Sequence, residues 1–257
     1  MSVLKSLVCG KMHVSVMDSR DEMGKEAAKK AGECIRGLLA KKDEINMIFA
    51  AAPSQNETLK YLIENENIDW TKVNAYHMDE YVGLKSGSEQ TFGYYLNEHI
   101  FSKAPFKSVN YIKGDNENAK AECERYAGLL KNNPVDVVML GIGENAHIAF
   151  NDPWVADFND PEWVKIVPLD AVCRQQQVND GCFEKLSDVP EYALTLTIPA
   201  LISAKHMFCT VPAKTKANAV KNTIEGEISK DVPATIMRLH DDAWMFLDPD
   251  SGKSILE

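Results

Sequence analysis

The sequence predicts an α/β protein with a mostly parallel sheet and helices on both faces. Short apolar runs alternate along the chain with amphipathic stretches of helical length, which is typical of βαβ units. The apolar run 135–140 ends in Gly-Ile-Gly and is followed at once by polar side chains that include His147 and Asp152. Open α/β sheets present their reactive sites at strand ends of this kind.

The predicted elements follow in chain order. The alternating segment Met12–Met17 predicts an exposed edge strand. Apolar residues at helical spacing predict a helix over 21–40. The other predicted strands are the apolar runs 45–52, 73–77, 109–112, 135–140, 165–168, 193–197, 207–211 and 244–247. The other predicted helices cover 57–63, 89–103, 117–131, 171–183, 199–204 and 214–224. Residues 151–163 carry two Asn-Asp-Pro turns and two tryptophans, which predicts an ordered active-site loop.

Length and composition exclude several classes of protein. A chain of 257 residues can form one large α/β domain or two small ones. Its apolar fraction of 45% and charged fraction of 26% are those of an ordinary globular protein. The net charge of -10 argues against non-specific binding to nucleic acid or to an anionic membrane. No run is long enough to span a membrane, and the N-terminal segment does not resemble a secretion signal. Six scattered cysteines without a CxxC pair predict reduced thiols in a cytoplasm, without a disulfide framework or a zinc site.

The turn between the strand at 45–52 and the next helix is a candidate phosphate site. Ser54 and Glu57 have the spacing of a capping box, which predicts that the helix begins at Ser54. A strand-to-helix turn at the carboxyl edge of a parallel sheet directs free backbone N–H groups towards a ligand. The turn has no Gly-rich loop, however, and Pro53 lacks an N–H group. On this segment alone, a plain helix cap is the better interpretation.

Two adjacent carboxylates, Asp79 and Glu80, follow the predicted strand 73–77. One of them can point into a cleft at the strand end, where burial would raise its pKa towards that of a general base. A solvated turn explains the local pattern equally well.

His147 lies just past the end of the predicted central strand. It is two residues after Asn145 and five before Asp152, and a catalytic imidazole needs such partners to fix its tautomer. A lone histidine is more often a satisfied core residue, but this setting favours a functional one. The segment 141–146 fits the dinucleotide fingerprint G-x-G-x-x-A only loosely, because it runs into a turn where that fingerprint opens a helix.

Basic side chains also lie near predicted strand ends. Arg174 starts a helix-like stretch, and Lys214 and Lys216 follow the strand at 207–211. Each fits the default of a solvated surface charge, yet an anionic substrate would require such groups at this edge of the sheet.

Four motifs together resemble the glucosamine-6-phosphate deaminase family, which shares a superfamily with 6-phosphogluconolactonase and ribose-5-phosphate isomerase. They are MDEYVGL at 78–84, GIGENAHIAFNDP at 141–153, VPEYALTLTIPAL at 189–201 and KANAVKNTIEG at 216–226. The resemblance covers most of the chain and implies one domain over 1–257, a three-layer α/β sandwich with a Rossmann-like sheet. It implies conversion of glucosamine 6-phosphate, or a related hexosamine phosphate, to a ketose 6-phosphate with release of ammonia. It implies no metal and no organic cofactor. The expected partner is a small sugar phosphate in the cytoplasm, with no nucleic acid and no membrane, and homo-oligomers stay open.

The resemblance also assigns roles to residues. Asp79 falls on the base that moves a proton between C1 and C2, and His147 falls on the histidine that opens the sugar ring. Asp152 falls on the partner of that histidine, and Asn145 stands where the family has a second acidic partner. The residues expected to bind the substrate are Ala52, Pro53, Ser54, Gln55, Glu80, Gly143, Arg174 and Lys216.

Several positions depart from the family pattern. Asn145 cannot stabilise an imidazolium electrostatically as the family's aspartate does, so Asn145→Asp is expected to raise deamination. Ala146 replaces the usual glycine, and the phosphate turn reads Ala-Ala-Pro-Ser-Gln where Thr-Gly-Gly-Thr-Pro is common. The family's second phosphate-binding arginine falls near Asn179, about a turn and a half from Arg174. The chain is therefore interpreted as a divergent member, and the unlike segment 154–165 predicts no allosteric regulation.

Three other functions stay open at this point. 6-Phosphogluconolactone hydrolysis uses a similar Gly-x-Gly-x-x-x-His segment, although MDEYVGL and FNDP favour the deaminases. A non-catalytic sugar-phosphate sensor would explain Asn145, but Asp79, His147 and Asp152 are all retained. A dehydrogenase is the least favoured, because the fingerprint is malformed.

Overall fold

An eight-stranded sheet lies between two layers of helices in the computed structural model, which describes residues 3–179 and 181–257. The predicted three-layer α/β fold is thus confirmed. The strands of the whole structure are β1 (Val3–Cys9), β2 (Met12–Met17), β3 (Ile45–Phe49), β4 (Val73–His77), β5 (Asp79–Tyr81), β6 (Ser108–Asn110), β7 (Val137–Leu140), β8 (Val164–Pro168), β9 (Tyr192–Leu196), β10 (His206–Val211) and β11 (Ala243–Leu247). The helices are α1 (Arg20–Leu39), α2 (Asn56–Asn65), α3 (Phe92–Leu96), α4 (Ala119–Asn132), α5 (Ala171–Asn179), α6 (Ile198–Ile202), α7 (Ala217–Glu225) and α8 (Lys253–Leu256).

The strand order of the main sheet fixes where a ligand can bind. The order is β1-β2-β11-β10-β7-β3-β4-β6, and every neighbouring pair is parallel except β1 and β2. From β3 the chain builds outwards through β4 to β6, and it then returns to place β7 on the other side of β3. The order therefore reverses between β3 and β7, and ligands of open α/β sheets bind outside the carboxyl ends of the strands at such a point.

Both faces of the main sheet are buried. In β7, Val138 and Leu140 belong to the hydrophobic core on one face, while Val137 and Met139 belong to the core on the other. Helices α1 and α2 cover one core, and α4, α6 and α7 contribute to the other. This burial explains why the central strands appear in the sequence as continuous apolar runs.

One expectation about the strands is wrong. Met12–Met17 is a strand but not an edge strand, because the unpredicted strand β1 pairs with it antiparallel and takes the edge. The apolar and polar residues of β2 alternate because one face of the strand is only partly buried. An interior strand can have such a face as well as an edge strand. The runs at 165–168 and 193–197 form β8 and β9, which pair antiparallel with each other and with β5 in a separate three-stranded sheet. A single residue, Met78, separates β4 from β5, so the chain leaves the main sheet there.

The helices agree with their predicted positions but differ in detail. The helix predicted over 89–103 is a short α3 that continues as a π-helical turn over Asn97–Phe101. The helix predicted from 214 begins with a 3-10 turn, Lys214–Lys216, before α7. In the described part of the chain, no helix is both long enough and apolar enough to cross a membrane.

Candidate active site

A cavity opens at the carboxyl edge of the main sheet, at the point where the strand order reverses. Segments that follow β3, β4, β7 and β10 form it, and α5 contributes from above. The predicted site residues that line the cavity are Ala52, Pro53, Ser54, Asp79, Gly143, His147 and Lys216. Residues far apart in the sequence meet here because parallel strands end at the same edge of the sheet.

Asp79 is a buried carboxylate at the cavity wall. Its exposed fraction is 8%, and neither carboxylate oxygen is hydrogen-bonded to any residue that the structure describes. Burial, together with the charge of Glu80, holds the pKa of Asp79 well above its usual range. A carboxylate in this state is suited to exchanging a proton with a bound substrate.

Glu80 faces away from the cavity, unlike its predicted role in substrate binding. Its carboxylate accepts hydrogen bonds from the backbone N–H groups of Tyr81, Phe92 and Gly93 at 2.9, 3.1 and 2.9 Å. Burial raises the pKa of Glu80 to about 7 in spite of these three donors. Successive residues of a strand point to opposite sides, so Asp79 can line the cavity while Glu80 fixes the start of α3. Phe92, the first residue of α3, then lines the cavity.

The imidazole of His147 is fixed by two partners behind it. Its Nδ1 lies 2.8 Å from Oδ1 of Asn145 and 3.0 Å from Oδ1 of Asp152. The Asn145 Nδ2 group donates to the same Asp152 oxygen at 2.7 Å. A carboxylate can only accept, so the amide group of Asn145 faces Asp152 and its carbonyl oxygen faces the ring. Nδ1 therefore carries the hydrogen, and Nε2 of the neutral ring has a lone pair available to a ligand.

Asp152 lies behind the ring and has no contact with the cavity. Burial opposes its ionisation, but the hydrogen bond and charge of His147 outweigh burial and lower the pKa of Asp152. The buried thiol of Cys173 lies beside this carboxylate, and burial together with Asp152 raises the pKa of Cys173. The ionised Asp152 can thus stabilise a positive charge on His147.

Gly143 makes room for the ring of His147. A Cβ atom at Gly143 would lie 2.1 Å from Cε1 of His147 and 2.3 Å from Nδ1. No side chain fits there without moving the ring. The spacing Gly-x-x-x-His in the sequence therefore has a steric cause.

Ala146 adopts a left-handed backbone conformation, with φ at 65°. This conformation costs a non-glycine residue about 1–2 kcal/mol, whereas glycine adopts it freely. Removal of a side chain also gives the unfolded chain more freedom, at a cost of about 0.4–1 kcal/mol. The buried methyl group of Ala146 is also lost, at a cost of about 0.8 kcal/mol. The gain and the two costs nearly cancel, so Ala146→Gly is expected to leave the free energy of unfolding within about 1 kcal/mol of the wild type, measured by urea denaturation. The matched control Ala121→Gly, at an exposed position in α4, should lower it, and equal losses in both variants would contradict the prediction.

The turn after β3 differs from the predicted capping box. Residues Pro53–Gln55 form a 3-10 turn, and α2 begins only at Asn56 without a side-chain cap. The Oγ atom of Ser54 accepts a hydrogen bond from Gln55 at 3.1 Å, and Glu57 accepts one from Arg20 at 2.9 Å. The Ser54 hydroxyl and the Glu57 carboxylate therefore bond to Gln55 and Arg20 and do not form the predicted capping box.

Gln55 lies beneath the cavity and does not line it. Its buried Nε2 group donates to the backbone oxygen of Leu140 at 3.0 Å as well as to Ser54. It therefore joins the turn to the end of β7. Gln55 is therefore not placed for the expected direct contact with a substrate. Its side chain positions Ser54 instead.

Arg174 is not at the cavity either. Its Nη2 group donates to the backbone oxygens of Leu186 at 2.9 Å and Val189 at 2.8 Å. The guanidinium holds the segment before β9, so it is not available for the predicted contact with a phosphate. Gln176 and Gln177, on another face of α5, line the cavity.

Sequence reasoning missed Arg20, Gln176 and Gln177 as cavity residues. Arg20 follows β2, whose carboxyl end lies at the same edge as the other strand ends. Recognition of β2 as an interior parallel strand would have drawn attention to this turn. For the two glutamines, the sequence carries no signal that separates them from surface residues of a helix.

Among the described residues, no three His, Cys, Asp or Glu side chains are grouped so that they could hold a metal ion.

A family model described as glucosamine-6-phosphate isomerases and 6-phosphogluconolactonase matches residues 18–246. The chain belongs to this family.

Relatives of known name place the chain within the family. It is 34% identical over 226 residues to a glucosamine-6-phosphate deaminase of Listeria innocua serovar 6a, an alignment that covers 88% of this chain and 94% of the relative. It is 36% identical over 189 residues to a glucosamine-6-phosphate deaminase of Bacillus cereus, covering 74% and 70% of the two chains.

Solved structures agree with the fold. A monomeric glucosamine-6-phosphate deaminase superposes with a TM-score of 0.85 at 28% identity, covering 93% of this chain and 98% of the other. A 6-phosphogluconolactonase of Thermotoga maritima superposes with a TM-score of 0.76 at 19% identity, covering 93% and 100%. The second likeness shows the family fold alone.

Proposed function

We propose that the protein is a glucosamine-6-phosphate deaminase, which converts the amino-sugar phosphate to a ketose 6-phosphate and releases ammonia. The observation that carries the proposal is the buried Asp79 carboxylate, which lines the cavity without a hydrogen-bond partner among the described residues. It shares the cavity with His147, whose Nδ1 is fully engaged. Relatives named as deaminases, matched over most of the chain, support the same reaction.

The first step is opening of the sugar ring. Nε2 of His147 takes the proton of the anomeric hydroxyl and returns it to the ring oxygen, so that the C1–O5 bond breaks and an open-chain aldehyde forms. The imidazolium that exists during this transfer is stabilised by Asp152 and hydrogen-bonded to Asn145.

The second step moves a proton between two carbons. Asp79 removes the proton from C2 while the C1 oxygen takes up a proton, which gives an enolamine. Asp79 then delivers a proton to C1 and the amino nitrogen gives one up, which yields the ketose imine. Water then adds to the imine carbon, the C–N bond breaks, and ammonia leaves with formation of the ketose. A carboxyl group with a raised pKa is suited to both directions of proton transfer.

The phosphate group belongs at the other end of the cavity. Ser54 in the turn after β3 and Lys216 in the turn after β10 both line this region. Backbone N–H groups of strand-to-helix turns and a lysine ammonium are common phosphate ligands.

The reaction is tested with a panel of hexosamine 6-phosphates and 6-phosphogluconolactone, in assays for ammonia, ketose phosphate and acid. We expect ammonia and ketose phosphate in equal amounts from at least one hexosamine phosphate. In D₂O, the ketose should carry deuterium at C1, because Asp79 exchanges with solvent between the two proton transfers. Acid release from the lactone without ammonia from any amino sugar would favour a 6-phosphogluconolactonase instead.

The wider setting follows from the same proposal. We propose that the protein acts as one domain over 1–257 in the cytoplasm, in the breakdown of amino sugars such as N-acetylglucosamine. The net charge of -10 supports a role apart from nucleic acids and anionic membranes.

The contacts of Asn145 change the expected effect of Asn145→Asp. The substitution would place a second carboxylate against Asp152, where the Asn145 amide now donates at 2.7 Å. Two carboxylates at this distance cannot both ionise easily. We therefore expect Asn145→Asp to lower both kcat/KM and the free energy of unfolding, the latter more strongly as pH rises.

The control for this variant is the double substitution Asn145→Asp/Asp152→Asn. It exchanges the two groups and keeps one carboxylate and one amide donor, so stability and part of the activity should return. Deamination that rises in the single variant would show instead that the extra charge on His147 outweighs the repulsion.

A further inference from the structure

Arg20 places a guanidinium group at the phosphate end of the cavity. It is the first residue of α1, directly after the N-cap Ser19. It lines the cavity together with Pro53, Ser54 and Lys216. Arg20 and Lys216 are the only arginine or lysine side chains among the described residues that line it.

Two contacts hold the Arg20 guanidinium. Its Nε donates to Oε1 of Glu57 at 2.9 Å, and its Nη2 donates to the backbone oxygen of Pro53 at 2.6 Å. Both acceptors belong to the turn after β3 or to the first turn of α2, so the guanidinium is fixed relative to Ser54. A guanidinium has five N–H donors in one plane, and these contacts leave donors for a ligand. The side chain is 40% exposed, so a ligand in the cavity can reach it.

Apart from Arg20, Lys216 is the one lysine or arginine that lines the cavity in the described part of the chain. The turn after β3 contains no glycine, and Pro53 has no N–H group to offer. Arg174, on α5, is committed to the backbone oxygens of Leu186 and Val189. Asn179, the last residue of α5, is an exposed amide without a charge. A phosphate dianion bound by Lys216 alone would therefore keep an uncompensated charge.

We propose that Arg20 is the second phosphate-binding cation of this protein, supplied by the start of α1 in place of α5. The inference rests on the proposed function only in taking the substrate to be a phosphorylated sugar. Glu57 holds one edge of the guanidinium, and the remaining donors face the phosphate. A planar guanidinium can bind a carboxylate and a phosphate at the same time, whereas an ammonium group binds as a point charge.

The test compares Arg20→Gln with a matched variant on the same helix. Arg36 makes the same kinds of contact as Arg20, to the carboxylate and backbone oxygen of Glu66, but it does not line the cavity. We expect Arg20→Gln to raise KM for glucosamine 6-phosphate by about 10–100-fold, with kcat changed less than about 3-fold, since phosphate is bound in both ground and transition states. Arg36→Gln should leave KM unchanged. Arg20→Lys should recover only part of the affinity, because it restores the charge without the planar group.

Inorganic phosphate is the second probe. It should inhibit the wild type and the Arg36→Gln variant competitively, and its inhibition constant should rise in Arg20→Gln by the same factor as KM. Activity on unphosphorylated glucosamine, where measurable, should be equal in the wild type and in Arg20→Gln. A loss on both sugars alike would identify a structural role and overturn the proposal.

The outcomes separate this inference from the proposed function. An unchanged KM in Arg20→Gln, beside a raised KM in Lys216→Ala, would overturn the role of Arg20 and leave the deaminase assignment intact. If the wild type turns over no sugar phosphate, the proposed function fails. Calorimetry with inorganic phosphate then still tests whether Arg20 binds an anion. Binding to the wild type that is lost in Arg20→Gln would then support the anion site, and equal binding or none would overturn it.

Discussion

We expect Asp79→Asn to lower kcat by about 10²–10⁴-fold, the usual contribution of a general base, while KM stays within a few-fold of the wild type. The asparagine keeps the shape of the side chain but cannot take a proton from C2. Ring opening by His147 does not need Asp79, so the open-chain substrate should still form. Steady-state kinetics with glucosamine 6-phosphate measure kcat and KM, and deuterium incorporation at C1 in D₂O measures the proton transfer that the variant should lose.

The stability of the Asp79→Asn variant separates lost chemistry from lost folding. Burial raises the pKa of Asp79 in the folded state, so folding becomes less favourable as pH rises from the usual aspartate value of about 3.9 through the folded pKa. Asparagine does not titrate. The variant should therefore be at least as stable as the wild type at neutral pH, with an advantage that grows as pH rises above the usual aspartate value.

The control for this prediction is Asp115→Asn. Hydrogen bonds from the backbone and hydroxyl of Ser86 lower the pKa of the exposed Asp115. Its contribution to stability is therefore present at neutral pH and lost as pH falls, the opposite sign to Asp79. This variant should lose stability and keep kcat. A wild-type kcat in Asp79→Asn would refute the assignment of the base.

Gly143→Ala should lower kcat/KM by about 10²-fold or more, because a misplaced catalytic group costs this much. The added Cβ would lie 2.1 Å from Cε1 of His147, so the ring has to move away from Asn145 and Asp152. Overpacking of this kind also costs about 1–3 kcal/mol of unfolding free energy. Kinetics and urea denaturation measure the two losses.

Gly128→Ala is the matched control for Gly143→Ala. Gly128 lies in α4, and a Cβ there would meet no atom within 4 Å. Alanine is favoured over glycine inside a helix, so this variant should be slightly more stable and fully active. The affinity of Gly143→Ala for inorganic phosphate should also stay near that of the wild type, since the phosphate end of the cavity is formed by other segments. Full activity in Gly143→Ala would mean that the position of the His147 ring does not limit turnover.

Much of the fold and the centre of the site could be predicted from local sequence. The strand Val73–His77 agrees with its predicted bounds, and the apolar run at 135–140 is the central β7. Both were recognisable because strands buried on two faces are apolar throughout. Asp79 and His147 could be placed at the cavity because each follows such a strand, and parallel strands end at one edge.

The arrangement of neighbouring side chains could not be predicted in the same way. Asp79 and Glu80 are equivalent in the sequence, and the pairing of β5 with β9 decides which of them lines the cavity. Arg174 is held by carbonyl groups more than ten residues further along the chain, so its direction depends on tertiary contacts.

The sequence by itself determined the fold class and the family, and it predicted that Asp79 and His147 belong to the site, because periodicity and motif spacing are local properties. Only the tertiary structure decided which strand takes the edge of the sheet, that β8 and β9 leave the main sheet, and that Arg20 occupies the cavity in place of Arg174. It also decided that the Asn145 amide bonds Asp152 as well as His147. These features depend on contacts between distant segments, and such contacts are set by the packing of the whole chain.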